Sequence, residues 1–154
     1  MIYYKHLLFG LVALTLITGC EIGEDDDDDI VGLHNQGKDC IACHSNFTVA
    51  GTIFTKLDAP NKEVSAAAYN HTLKLALEEG TEIILAKGYG SGNAYTTTNT
   101  NTVGAFTAQV VDPDGKIVNR SATLSHDGDM LRCNRCHTQN GNNNAPGRIT
   151  NFKP

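Results

Sequence analysis

The residues best suited to chemistry are four cysteines and two histidines in two short, matching runs: Cys40-Ile41-Ala42-Cys43-His44 and Cys133-Asn134-Arg135-Cys136-His137. Both have the pattern Cys-x-x-Cys-His. Two thiols three positions apart can reach two substituents of one planar macrocycle. An imidazole on the next residue can then bind its central metal from one face. That combination is the attachment pattern of c-type haem, in which the thiols become thioethers to the porphyrin vinyl groups and the histidine is the proximal ligand. Rival uses of paired cysteines are a Cys₄ or mixed Cys/His zinc site, a disulfide in an oxidising compartment, and a thioredoxin-like redox pair. Two pairs, each with its histidine in register, favour haem. The expectation is two covalently bound haem c groups, held by Cys40, Cys43, Cys133 and Cys136, with His44 and His137 on the irons.

Each iron has a second axial position. Candidates for it are His34, His71, His126 and Met130, the last being the one methionine besides Met1. His34 stands six positions before Cys40 and His126 seven before Cys133. A histidine so close upstream shares a chain segment with its own haem and is better placed for a neighbouring one. The sequence therefore suggests a swap, in which His34 caps the second haem and His126 the first. A methionine ligand would raise the reduction potential of its haem. Lys38, Arg132, Arg135 and Arg148 flank the motifs and are candidate partners for haem propionates.

Composition agrees with a cofactor-rich core. The 154 residues are 40% apolar and contain no tryptophan, where about 45–50% apolar is usual. Porphyrin faces would supply apolar surface that the side chains lack. The formal charge of −5 is not spread evenly. Seven of the 17 acids lie in 21–29, and the stretch from 30 to 154 holds 10 acids against 11 bases. Twelve Lys and Arg in all give no basic footprint for nucleic acid.

The fifth cysteine belongs to the N-terminus. A run of eleven mostly apolar residues, 7–17, is too short to span a membrane, which takes about 20 residues, and matches the core of a signal peptide. Ile17-Thr18-Gly19-Cys20 follows and resembles the bacterial lipobox, which implies cleavage before Cys20 and lipidation of that cysteine. The expected organisation is a lipoprotein signal peptide at 1–19, an acidic tether at 20–29, a first haem segment at 30–46, a β-sandwich at 47–125, and a second haem segment with an Asn/Gly-rich tail at 126–154. The location implied is the cell envelope, lipid-anchored, at the outer membrane on its periplasmic or external face.

Cys43 and Cys133 stand 90 positions apart, and the stretch between them reads as strands. Residues 47–55 are β-branched and strand-like. Leu73, Leu75 and Leu77 alternate on one face of 72–77, and Glu78-Glu79-Gly80 turns the chain into 81–87 as a hairpin. Gly80 as a helix cap is the rival for that segment. Residues 88–93 form a loop, 95–98 and 105–111 further strands, Asp112-Pro113-Asp114-Gly115 a turn, and 116–124 the last strand. The fold class expected is mainly β: a small β-sandwich flanked by two haem-binding segments with short helical turns. The tail after His137 has too little apolar content for a core of its own and should drape over the second haem or the sandwich edge.

The two motifs and the lipobox together resemble small multihaem c-type cytochrome lipoproteins of bacteria. The intervening residues 47–125 resemble the transthyretin-like or carboxypeptidase-regulatory sandwiches. The first resemblance implies electron transfer rather than enzymatic turnover, with other redox proteins as partners, including quinol-oxidising or extracellular-transfer complexes, and with a homo-oligomer or filament as a variant. The alternatives are a dihaem peroxidase with one open haem site and a haem-based redox or gas sensor.

Overall fold

A computed structural model describes residues 35–62, 67–87, 91–99, 104–121, 126–127 and 130–154. The expected signal peptide, Cys20, the acidic tether and His34 lie outside the described residues. Among the described residues, eight strands form two four-stranded sheets. They are β1 (Val49–Phe54), β2 (Thr72–Leu77), β3 (Glu82–Ile84), β4 (Ala86–Lys87), β5 (Asn93–Thr96), β6 (Phe106–Val111), β7 (Ile117–Arg120) and β8 (Ile149–Thr150). The sheet orders are β4-β5-β1-β8 and β3-β2-β6-β7. The chain is thus mainly β and is consistent with the small sandwich expected from its strand pattern.

The alternation in β2 produces the second sheet's inner face. Leu73, Leu75 and Leu77 are buried, while Thr72, Lys74 and Ala76 are half-exposed. Side chains along a strand alternate between faces, so three leucines at spacing two cannot avoid a common side. They meet Phe106 and Val110 of β6, and Val49, Ile53 and Ala94 of the first sheet, in one core. The hairpin is as expected: β2 pairs antiparallel with β3, and Gly80 takes φ +89 in the turn. The returning strand, however, breaks at Leu85. Its first part stays beside β2, and Ala86–Lys87 crosses to pair with β5. The turn at 112–115 closes with Asp112 Oδ1 accepting the N–H groups of Asp114 and Lys116.

β1 is buried along its whole length, which a sheet strand reaches only when both faces and both edges are covered. One edge pairs with β5. The other edge meets the second haem segment first and β8 next. Ala50 N–H donates to Leu131 O, Thr52 N–H to Asn134 Oδ1, and Ile53–Phe54 pair parallel with Ile149–Thr150. The tail therefore does lie along the sandwich edge, and it does so as a strand.

Candidate haem-attachment site

Each Cys-x-x-Cys-His folds into a single helical turn. Cys40–Ala42 is a 3₁₀ turn, and α1 (Cys133–Cys136) is one turn of α-helix. In both, the histidine N–H donates to the carbonyl of the first cysteine, at 3.0 Å for His44 and 2.9 Å for His137. Residues three apart in such turns share a face. In the second turn Cys133 packs on Gly51, while Cys136 Sγ lies 3.6 Å from Asn143 Nδ2. The first motif is the more open: Ala42 and Cys43 are exposed, whereas Asn134 of the second is buried. Cys40, Cys133 and Cys136 carry free thiols, and Cys43 is disulfide-bonded.

The second motif is the better defined. His137 Nδ1 lies 2.8 Å from Gly147 O. A carbonyl only accepts, so Nδ1 carries the proton and Nε2 keeps its lone pair. A ligating histidine is oriented in the same way, by giving its other N–H to a backbone carbonyl. The Asn/Gly-rich tail makes this possible. Between Gly141 and Gly147 the chain takes positive φ at Gly141, Asn143, Asn144 and Gly147, conformations that glycine and asparagine tolerate best. The resulting tight winding returns Gly147 to the histidine.

Across from His137 stands His126. The ring centroids are 6.1 Å apart and the planes differ by 20°. The two rings stack. His126 is held from behind by the ring of Phe106, at 5.3 Å and 26°, and by its carbonyl, which accepts Phe106 N–H. Burial lowers the pKa of His126, with His137 adding to the effect, and burial likewise lowers that of His137. Both rings are therefore held in the neutral form that binds a metal. His126 thus sits against the histidine of its own motif, and His34, the other half of the swap, lies outside the described residues. Met130 N–H bonds to Asp127 O, and Ala50 forms a parallel bridge to Arg132.

His44 stacks on Phe47 at 4.6 Å, and Phe47 on Tyr95 at 4.2 Å. His71 stands at the head of β2 with Nδ1 buried and without a hydrogen-bond partner. Met130 is 43% exposed. Among the described residues, no three His, Cys, Asp or Glu side chains converge to hold a metal ion. Cys133, Cys136 and His137 are the residues of the second motif that would hold a covalently attached haem.

Two of the four candidate propionate partners have other work. Arg148 is buried at 2% exposure. Its Nε donates to Ala59 O, Nη1 to His137 O and Gly37 O, and Nη2 to Asn61 Oδ1, while its guanidinium lies 5.0 Å over Phe54. It is a brace between the two motif segments, and burial lowers its pKa. Arg132 forms a two-pronged ion pair with Asp39. Lys38 and Arg135 are exposed.

Comparisons with known proteins add no neighbour: no family model, curated protein or solved structure matches the chain.

Proposed function

We propose that the protein is a dihaem c-type cytochrome that carries electrons between redox partners at the cell envelope. The observation that carries this reading is the pair of Cys-x-x-Cys-His turns, the second with both thiols free and with His137 Nδ1 committed to Gly147 O. Bound haem would supply one-electron exchange at its iron. The chain's own contribution is positional. Gly147 O fixes the His137 tautomer and ring direction. Phe106 backs His126, so an axial ligand there would be held with little freedom to leave. A haem with both axial positions filled would leave no room for a substrate, and such a haem would serve electron transfer rather than turnover. The lipobox reading adds a membrane anchor through Cys20 and an acidic spacer of residues 21–29, so that contacts with partner proteins would be small and transient. For the first motif, a thioether and a disulfide are alternative fates of the Cys43 sulfur, and attachment there requires the reduced thiol.

The test is expression of the full chain with a c-type haem maturation system, followed by intact mass and haem quantification. Two haems per chain, retained in denaturant, are expected. A chain that matures with no covalent haem overturns the reading.

A further inference from the structure

We propose that the free edge of β3 is a pairing site for a second copy of this chain, the two β3 strands running antiparallel about Ile83 so that two sheets join into one. The proposal goes beyond electron carriage and does not depend on haem.

The two sides of the sandwich end differently. On one side the sheets are tied together, because Asn119 of β7 donates through Nδ2 to Thr150 O and Oγ1 of β8. On the other side residues 82–87 supply the last strand of both sheets, β3 in one and β4 in the other. The pairing of β3 with β2 uses alternate residues. Leu77 N–H donates to Thr81 O, and Leu85 N–H to Leu73 O. In the antiparallel register found, positions 81, 83 and 85 are then the bonded ones. The N–H and C=O groups of Glu82 and Ile84 therefore point away from the sheet, and among the described residues no strand pairs with them. Ile84, at 65%, is the most exposed large apolar side chain of the described residues. An edge with free donors, free acceptors and an apolar side chain is a template for another strand.

This edge is complementary to itself. Antiparallel pairing centred on Ile83 sets Glu82 of each copy against Ile84 of the other, so every outward donor meets an outward acceptor. On the inner face Ile83 is half-buried and packs against the core. It meets Ile83 of the other copy at a non-bonded position, where facing side chains come closest, and the two cores become continuous. On the outer face Ile84 covers the stem of the opposing Glu82, whose carboxylate stays with Lys74 of its own chain at 2.8 Å. Beyond the strand, the same register brings Lys87 of each copy toward Glu79 of the other, and both residues are exposed. Opposite charges thus stand at both ends of the joint. Sliding the register one way sets Glu82 on Glu82. Sliding it the other way sets Glu82 against Ala86, where the chain has already crossed to β5. A strand of 3 residues makes a small joint, so the dimer is weak and depends on concentration.

Sedimentation velocity of the full chain in mild detergent, over a wide range of concentrations, reads the monomer–dimer equilibrium. All variants are compared at equal haem content, checked by mass. The wild type is expected to dimerise reversibly as concentration rises. Ile84→Pro removes an outward N–H that makes no bond to β2, and Glu79→Lys sets like charges together. Each should raise the dissociation constant at least about fivefold. Glu79→Lys combined with Lys87→Glu restores opposite charges and should return it to within about twofold of the wild type. Both charged positions are exposed, so these variants keep the fold, and circular dichroism checks it. A wild type that stays monomeric throughout overturns the proposal. A dimer indifferent to Ile84→Pro overturns the assignment to β3; if that variant does not fold, Glu79→Lys alone decides the point. A dimer indifferent to Glu79→Lys, or not recovered by the double variant, overturns the register about Ile83.

Discussion

The imidazole of His126 faces that of His137 at 6.1 Å between centroids, with the planes 20° apart. On the haem reading His126 is a distal candidate, and removing it would open a coordination position. In the haem-loaded, reduced protein, His126→Ala should therefore take up about one more equivalent of carbon monoxide than the wild type, read from the Soret shift. His71→Ala should take up no more than the wild type. Equal uptake by wild type and His126→Ala would remove His126 from the ligand set.

Arg148 satisfies three carbonyls and an amide oxygen from within the protein. Arg148→Ala leaves these acceptors buried and unpaired. Such a loss should cost about 3 kcal/mol or more in urea denaturation. Lysine lacks the planar fork and cannot reach all four acceptors, so Arg148→Lys should recover only a minor part. A loss under about 1 kcal/mol for the alanine variant would contradict the bracing role.

Gly51 is needed for closeness rather than for an unusual backbone angle. An added methyl would meet the Cys133 Cβ at 2.8 Å and its Sγ at 3.3 Å. Gly51→Ala should therefore push α1 off β1 and destabilise the fold by about 1–3 kcal/mol. Thermal melting of the haem-free protein checks this, and an unchanged melting temperature would refute it.

Burial pushes the Cys133 thiol up to about 12 in the folded, haem-free chain, against an unfolded value of about 8.5. Between those values the unfolded chain has lost this proton and the folded chain keeps it. The resulting stabilisation is whole below about 8.5 and disappears as pH climbs toward 12, so alkaline pH favours unfolding. At pH 8 Cys133 should resist iodoacetamide in the folded protein and react once urea is added. Peptide mass mapping reads the difference, and rapid labelling of Cys133 in the folded chain would contradict it.

Much of this architecture is written in short-range pattern. The leucines at 73, 75 and 77 announce a one-faced strand because strand geometry has a period of two, and Glu78-Glu79-Gly80 announces its turn. The motif turns are legible for the same reason, since spacing of three is local. What eludes the sequence is everything that depends on partners far along the chain. Asn134 looks like a neutral filler until Lys38, Cys40 and Thr52 surround it. Arg148 reads as a surface cation because nothing nearby signals a pocket of carbonyls. The tail's asparagines and glycines read as absence of structure. They are the residues that permit left-handed backbone, and a run of them can specify a tight path as well as a loose one. β8, two residues long, has no pattern to detect. The stacking of His126 on His137 is hidden on the same ground, since sequence proximity does not say which rings meet.

The pairing of β8 with β1 also bears on how the molecule comes to be assembled. Arg148 reaches Gly37 across a separation of 111 residues, and Asn134 reaches Lys38 across 96. Closing such spans delays their contacts relative to local ones. A chain emerging N-terminus first offers its first motif to the surroundings long before the residues that clasp it exist. That motif is then an unfastened, accessible segment during the interval in which an attachment enzyme could act. The clasp forms only when the last turns of chain arrive, so exposure of the first motif and closure of the fold are ordered in time by the sequence itself.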